Sequence, residues 1–270
     1  MASPCILVTG ATGFLGPYVV AELRSRGCRV VTVARSAGDA AVDLTRPGMV
    51  DAVLEALRPD RAINLLAMAK MAECELHPQR AELVNGRLPG ELARRFGPRM
   101  LHVSTDMVFD GAGAPYDERA AVAPLSVYGR SKAHGEESVA AGGGVVVRLP
   151  LLFGPDERGR GATEMVRGAL HRGERLALFT NEYRTPLHAA DAAEALAEIV
   201  LADDPPRLLH VAGPERVSRW ELGRRFAELH GLDLTLLDPV ECQDPLRPRD
   251  VSLAAKWPMR RSLAAMLQEG

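Results

Sequence analysis

The feature that most limits how this chain can fold lies near its start. A short apolar, β-branched run leads directly into VTGATGFLG, which spaces Gly10, Gly13 and Gly16 evenly. Residues 5–9 have the composition of a strand buried on both faces. Residues 14–26 carry apolar side chains at helical spacing and stop at Gly27, a residue that closes helices in the left-handed region. The glycines at this junction have separate tasks. Gly10 permits a tight turn, Gly13 lets the backbone approach a pyrophosphate, and Gly16 lets helix and strand pack closely. Thr12, Phe14 and Leu15 fill the positions between them. The free N–H groups and positive dipole end of the helix favour an anion there. Glycines at this spacing mean little alone. A strand before them and a helix after them supply the context of a dinucleotide site.

The alternation continues. The pattern predicts strands over 29–34, 61–66, 100–104 and 145–149, with helices over 49–57, 79–96 and 126–141 between them. Strands alternating with helices imply parallel pairing through right-handed crossovers. The expected fold is α/β, a Rossmann-type doubly wound parallel sheet, with residues 1–150 as the dinucleotide-binding domain. The second half is less regular. It predicts helices over 163–172, 189–201 and 218–230, the last opening on Ser218 and Glu221 as a capping box, and a strand over 208–211. We expect 151–270 to form mainly a smaller C-terminal substrate-binding lobe, with segments near 185–212 returning to the sheet. Ligands of such sheets sit at the carboxyl ends of the strands, where the motifs below fall.

Charge and cysteine usage narrow the partners. The formal net charge is -2, which carries no signature of nucleic-acid binding. Basic pairs such as Arg94-Arg95 and Arg224-Arg225 stand beside acids and read as solvated helix faces. The four cysteines form no Cys-x-x-Cys pair and no zinc-ligand spacing, so reduced thiols and no metal are expected. The apolar run from Cys5 is broken by glycines at once, unlike an export signal. No stretch reaches the roughly 20 apolar residues that span a bilayer. The expected location is cytoplasmic, without membrane or nucleic-acid partners, as a monomer or homodimer.

The second strand ends VVTVARS. A carboxylate here would hold the ribose 2′-hydroxyl of NAD, whereas Arg receives the 2′-phosphate of NADP. Arg35 and Ser36 occupy the place, with no acid before Asp39. NADP(H) is therefore favoured over NAD(H). Asp43, beside Leu44, offers a carboxylate to an adenine amino group.

In mid-chain, SVYGRSK puts Tyr128 and Lys132 on one face of a helix. A tyrosine titrates near ~10 and is a poor acid at neutral pH. A nearby ammonium is expected to lower the Tyr128 pKa, and Tyr128 then protonates a carbonyl oxygen. The fourth strand ends HVSTDMVFDG. Thr105 can donate to the same oxygen, as an oxyanion donor does. Ser104 reads as structural. Asp106 either accepts from a substrate hydroxyl or caps the turn.

These segments occur in a familiar order. TGATGFLG, STDMVFDG, YGRSK, RLPLLFG, RTPLHAAD and HVAGPERVSRWELGRRFAELHGLD resemble the extended short-chain dehydrogenases/reductases across essentially the whole chain. Within them the chain is most similar to the dTDP-4-dehydrorhamnose reductase-like branch, which also includes the regulatory β subunit of methionine adenosyltransferase. The resemblance implies a nucleotide-linked sugar in the cleft, reduced at its 4-keto group, and a catalytic trio of Thr105, Tyr128 and Lys132. It implies that Leu66 and Ala67 line the cofactor and that Pro150 and Leu151 lie near the nicotinamide. Arg184 and Arg247 are then placed to meet a substrate diphosphate, for which guanidinium forks are suited.

The chain departs from that pattern on the substrate side. Asn64-Leu65-Leu66-Ala67 replaces Asn-Ala-Ala-Ala, and Met107 stands where an aromatic is common. Met68, Met71 and Ala72 replace more polar residues. The methionines can line an adaptable pocket, which leaves room for a less polar ketone. Three readings follow. One is an NADPH-dependent reductase of a carbonyl substrate. Another is an NADP-binding regulatory subunit without turnover. The third is an epimerase or dehydratase with tightly held NAD(H), which Arg35 opposes.

Overall fold

In the computed structural model, which describes residues 3–35 and 38–269, the opening unit forms as its side chains require. Strand β1 (Cys5–Thr9), helix α1 (Gly16–Ser25) and strand β2 (Arg29–Ala34) follow one another. Alternate β1 side chains enter two different cores. Ile6 and Val8 join Val19 and Leu23 of α1, while Cys5 and Leu7 join Val31 and Val33 on the other face. A strand covered on both sides has no polar face, which is why this run is apolar throughout.

The rest of the first half is β3 (Ala40–Ala41), α2 (Met49–Leu57), β4 (Arg61–Asn64), α3 (Met71–Leu76), α4 (Pro78–Ala81), α5 (Leu88–Phe96), β5 (Met100–Thr105), α6 (Val127–Ala141) and β6 (Val145–Leu149). The second half adds β7 (Leu152–Phe153), α7 (Ala162–His171), β8 (Leu176–Phe179), β9 (Tyr183–Arg184), β10 (Leu187–His188), α8 (Ala189–Leu201), β11 (Leu208–His210), β12 (Val217–Ser218), α9 (Arg219–Leu229), β13 (Leu237–Val240) and α10 (Leu263–Gln268). The central sheet has seven strands in the order β11-β6-β5-β4-β1-β2-β3, and every neighbouring pair is parallel. Helices α1 and α8 pack together on one face and α5 and α6 on the other. This is a Rossmann-type α/β fold.

Beyond β6 the chain contributes its edge strand β11 to the sheet and three short two-stranded ladders, β7 with β10, β8 with β13 and β9 with β12. Val166, Leu178, Leu222 and Phe226 of this half belong to the same hydrophobic cluster as Ile6 and Val8, so both halves share a core. The capping box forms. Ser218 Oγ accepts from the Glu221 N–H at 3.0 Å and the Glu221 carboxylate accepts from the Ser218 N–H at 2.8 Å.

Two elements differ from expectation for local reasons. The strand expected over 61–66 stops at Asn64, whose side-chain oxygen accepts the Leu66 N–H at 3.3 Å and turns the chain out of the ladder. The helix expected over 79–96 begins at Pro78 and widens into a π turn over Glu82–Arg87. Such turns displace one residue from helical register, and here Asn85 is buried together with Gly86. The two-residue strands and α3 and α10 are too short to show a period. The four cysteines are buried free thiols. Among the described residues no helix is long and apolar enough to cross a membrane.

Candidate active site

The glycine turn is a cradle with one open side. Gly10 has φ +70°, and a Cβ there would lie 2.7 Å from the Leu66 nitrogen, so only glycine fits between β1 and β4. At Gly16 a Cβ would lie 2.1 Å from the Ala11 carbonyl oxygen. Gly13 is exposed and donates its N–H to the Gly10 carbonyl at 2.9 Å. Leu15 is buried in the core, and Phe14 meets Tyr18 edge-on. The Thr12 carbonyl accepts from Arg160 at 2.8 Å and from Arg158 at 3.5 Å. Two guanidinium groups thus reach a turn whose backbone is otherwise shaped for an anion, and the cradle fits a dinucleotide. Neither arginine was legible in the sequence, because 148 positions separate Arg160 from Thr12.

At the end of β2, Arg35 is exposed, and Ser36 lies outside the described residues. Asp39 is occupied. Its carboxylate accepts from the Thr32 N–H and hydroxyl, both at 2.8 Å, and these bonds hold it below the usual carboxylate range. Asp43 accepts from the Thr45 hydroxyl and N–H, at 2.6 and 3.0 Å, which also lower its pKa. Leu44 is buried in the core beside it. Leu66 is partly exposed and Ala67 exposed, while Pro150 is buried at the end of β6.

Thr105 and Tyr128 meet where β5 meets α6, and Lys132, one turn on in α6, reaches the β5 backbone at Val103. Ser126 caps α6, accepting from the Gly129 N–H at 3.1 Å. A Cβ at Gly129 would lie 2.3 Å from the Met107 carbonyl oxygen, so glycine lets the first helical turn ride against residues 106–108. Tyr128 is thereby brought into hydrogen-bonding contact with the Thr105 hydroxyl. The electrostatics correct the expectation. Burial pushes Tyr128 up to about 12, and the Thr105 hydrogen bond only partly opposes this. Lys132 is not among the main groups that shift it. The Lys132 side chain is 2% exposed, with Nζ donating to the Val103 carbonyl at 2.6 Å and lying 3.1 Å from His102 Nε2. Burial brings Lys132 itself down to about 7, against the pull of Glu136. Desolvation disfavours the charged form of both groups, and here it outweighs their neighbours. Tyr128 is a neutral phenol there, and by itself a weaker acid than a free tyrosine.

The next residues sort themselves. Ser104 donates to Glu136 at 2.5 Å. Thr105, not Asp106, caps the short turn that follows, accepting from the Met107 N–H at 3.2 Å. Asp106 Oδ1 meets Arg184 at 2.9 Å, and its Oδ2 is buried without a partner. Arg184 departs from the diphosphate expectation. It is 6% exposed, its guanidinium is held by Asp106 and by Glu182 at 3.2 Å, and it also contacts Met107 Sδ at 2.8 Å. Both carboxylates are supplied by neighbouring turns of the fold and neutralise it. Met107 is likewise buried. Arg247 is more open and meets Glu182 at 3.2 Å. Arg219, at the start of α9, completes a group of three arginines around two carboxylates, and burial lowers its pKa while Glu182 opposes the fall. Glu182 and Arg219 carried no sequence signal: apart from Arg184, two residues from Glu182, their partners come from distant segments. Met68 is partly exposed, and its backbone is clasped by Asn85, which accepts its N–H at 2.8 Å and donates to its carbonyl at 3.0 Å. Among the described residues no cluster of His, Cys, Asp and Glu could hold a metal.

Comparison with known proteins agrees with this architecture. Residues 4–263 match the family described as RmlD substrate binding domain. The chain is 30% identical over 282 residues to dTDP-4-dehydrorhamnose reductase of Mycobacterium tuberculosis, covering 97% of this chain and 90% of that protein. It is 28% identical over 266 residues to methionine adenosyltransferase 2 subunit beta of Bos taurus, covering 92% of this chain and 79% of that one. The crystal structure of dTDP-4-dehydrorhamnose reductase from Bacillus anthracis in complex with NADP superposes with a TM-score of 0.89 at 21% identity, covering 98% of each chain. The chain belongs to the RmlD substrate-binding domain family, the dTDP-4-dehydrorhamnose reductase-like branch of the extended short-chain dehydrogenases/reductases.

Proposed function

We propose that this protein is an NADPH-dependent reductase of a carbonyl, the 4-keto group of a nucleotide-linked deoxysugar, with Tyr128 as proton donor. The observation that carries the reading is the Thr105–Tyr128 contact at the carboxyl end of β5. NADPH, when bound, supplies the hydride. Gly10, Thr12, Gly13, Phe14, Leu15 and Gly16 hold the pyrophosphate side, and Arg35 with Ser36 takes the 2′-phosphate. Asp43, Leu44, Leu66, Ala67 and Pro150 border the adenine and nicotinamide ends. Thr105 donates a hydrogen bond to the carbonyl oxygen, and Tyr128 transfers its proton to that oxygen. Lys132 holds the ribose. Met68, Asp106, Met107 and Arg247 border the substrate, with Arg184 fixing Asp106 from behind. The residues of 151–270 that reach this cleft form the substrate side.

The assembled proton donor favours turnover over a purely regulatory role, because binding a dinucleotide needs no acid. The test is NADPH oxidation with dTDP-4-dehydrorhamnose beside a panel of simple ketones. Tyr128→Phe should lower kcat by about 10²–10⁴. Undiminished turnover in that variant removes Tyr128 from the chemistry, and reduction of simple ketones alone removes the sugar nucleotide.

A further inference from the structure

Between β7 and α7, residues 154–161 form a loop that lies against the glycine turn, and α1 and the turn before it hold the loop at both ends. Tyr18 donates its hydroxyl to the Pro155 carbonyl. At the other end, a Cβ on Gly161 would lie 3.1 Å from the Phe14 ring and 2.8 Å from the Gly154 carbonyl oxygen, so glycine lets the loop close on that ring. Between these points Gly159 donates its N–H to the Asp156 carbonyl at 2.9 Å and has φ +65°. This left-handed turn stands between Arg158 and Arg160, and both guanidinium groups come to one atom, the Thr12 carbonyl oxygen. The two arginines are engaged unequally. Arg160 is fully committed. Its Nε and Nη2 reach the two oxygens of Asp156 at 2.9 and 2.7 Å, its backbone N–H reaches the same carboxylate at 2.9 Å, and its Nη1 donates to Thr12 at 2.8 Å. Arg158 is exposed, and among the described residues its one hydrogen bond is the 3.5 Å contact with the Thr12 oxygen. That oxygen already has a closer donor.

We propose that Arg158 is a further cofactor-binding residue: its guanidinium leaves the Thr12 carbonyl and pairs with the pyrophosphate of the dinucleotide, while Arg160 and Asp156 hold the loop in place. Thr12 shares its peptide unit with Gly13, and the residues that follow open α1, whose first N–H groups have no intrahelical acceptor. Leu15 supplies no side-chain cap to them. The end of a helix offers an anion only roughly half an elementary charge. A pyrophosphate carries a full negative charge on each phosphorus, so the backbone cradle leaves most of that charge unmatched. Arg158 is the cation that the fold brings to the same turn and leaves without a carboxylate partner among the described residues. Its fork suits two phosphate oxygens. Pyrophosphate is common to NADPH and NADH, so Arg158 adds affinity for both and does not choose between them. That choice stays with Arg35, at the end of β2.

The role given to Arg158 rests on the proposed function only for its dinucleotide, so the test measures binding and needs no substrate. Dissociation constants of the full-length protein for NADPH and NADH come from nucleotide fluorescence, and that for ADP-ribose from displacement of NADPH, in the wild type and in Arg158→Ala. All should rise in the variant by the same factor, about tenfold, as expected for one charge-assisted hydrogen bond. Unchanged constants overturn the proposal; a raised KM for a sugar nucleotide beside them would place the guanidinium on the substrate. Weakening of NADPH alone also overturns it, because the guanidinium would then meet the 2′-phosphate. A wild type that binds none of these nucleotides removes the cofactor reading and the role of Arg158 together, whereas a wild type that binds them without turning over a ketone fails only as a reductase and leaves the role of Arg158 to be decided by the same constants.

Discussion

Glu136 offers the most quantitative test of how the Tyr-Lys helix is held. Its carboxylate receives Arg148 through Nη2 at 2.6 Å and Nε at 3.0 Å, and the Ser104 hydroxyl at 2.5 Å. The two side chains are 4% and 10% exposed, so water cannot replace either partner. In Glu136→Ala the guanidinium is left buried and unpaired. His210, at 3.2 Å, cannot compensate, because burial holds it near 4 and it carries no charge at neutral pH. The Phe109 ring, 5.0 Å from the guanidinium, is a weak substitute. Breaking a buried pair from one side costs about 3–5 kcal/mol. The lost Ser104 acceptor adds about 1 kcal/mol. Removing both charges in Glu136→Leu/Arg148→Met should recover most of this, because the desolvation cost disappears with them. Urea unfolding followed by circular dichroism measures all three proteins, with constant slopes required for comparison. A single-variant loss below about 1 kcal/mol would refute the reasoning, as would a double variant no better than the single.

Other outcomes follow from the same geometry. Arg35→Ala should bring NADPH and NADH affinities together in fluorescence titration; equal affinities in the wild type would remove Arg35 from 2′-phosphate recognition. Lys132 binds a proton less tightly folded, at about 7, than unfolded, at about ~10.4. Between those values the unfolded chain holds more protons, so Lys132 contributes a rise in stability with pH across that window. Urea midpoints from pH 7 to 9 should rise more in the wild type than in Lys132→Met, and parallel curves would contradict the buried-amine assignment. The thiols should be inert. Burial, then Glu75 and Glu73, push Cys74 up to about 11, and burial also raises Cys5 and Cys28. Ellman's reagent should find no fast thiol in the native protein and four in denaturant. A rapid native reaction would show that one of these sites opens.

Much of the fold could be read in advance because its signals are local. The glycine turn, the alternation of β1, α1 and β2, and the helices over 49–57 and 189–201 depend on side chains a few residues apart, where helical and strand periods act directly. Tyr128 and Lys132 share a helix face for the same reason, and Thr105 stands at a strand end that composition marks. The environment of that trio could not be read. That burial raises Tyr128 and lowers Lys132 depends on how much protein packs around each, a quantity no spacing encodes. The row from Thr9 through Asn64 to His102 exists only in the register of three strands, and Arg184 meets Asp106 only when β9 closes on the turn after β5. Arg160 reaches Thr12 across most of the chain. Sequence by itself determined a parallel α/β sheet, a dinucleotide turn and a Tyr-Lys helix. Tertiary structure alone decided which charges survive there, because desolvation and hydrogen-bond partners arise from segments that meet only when folded.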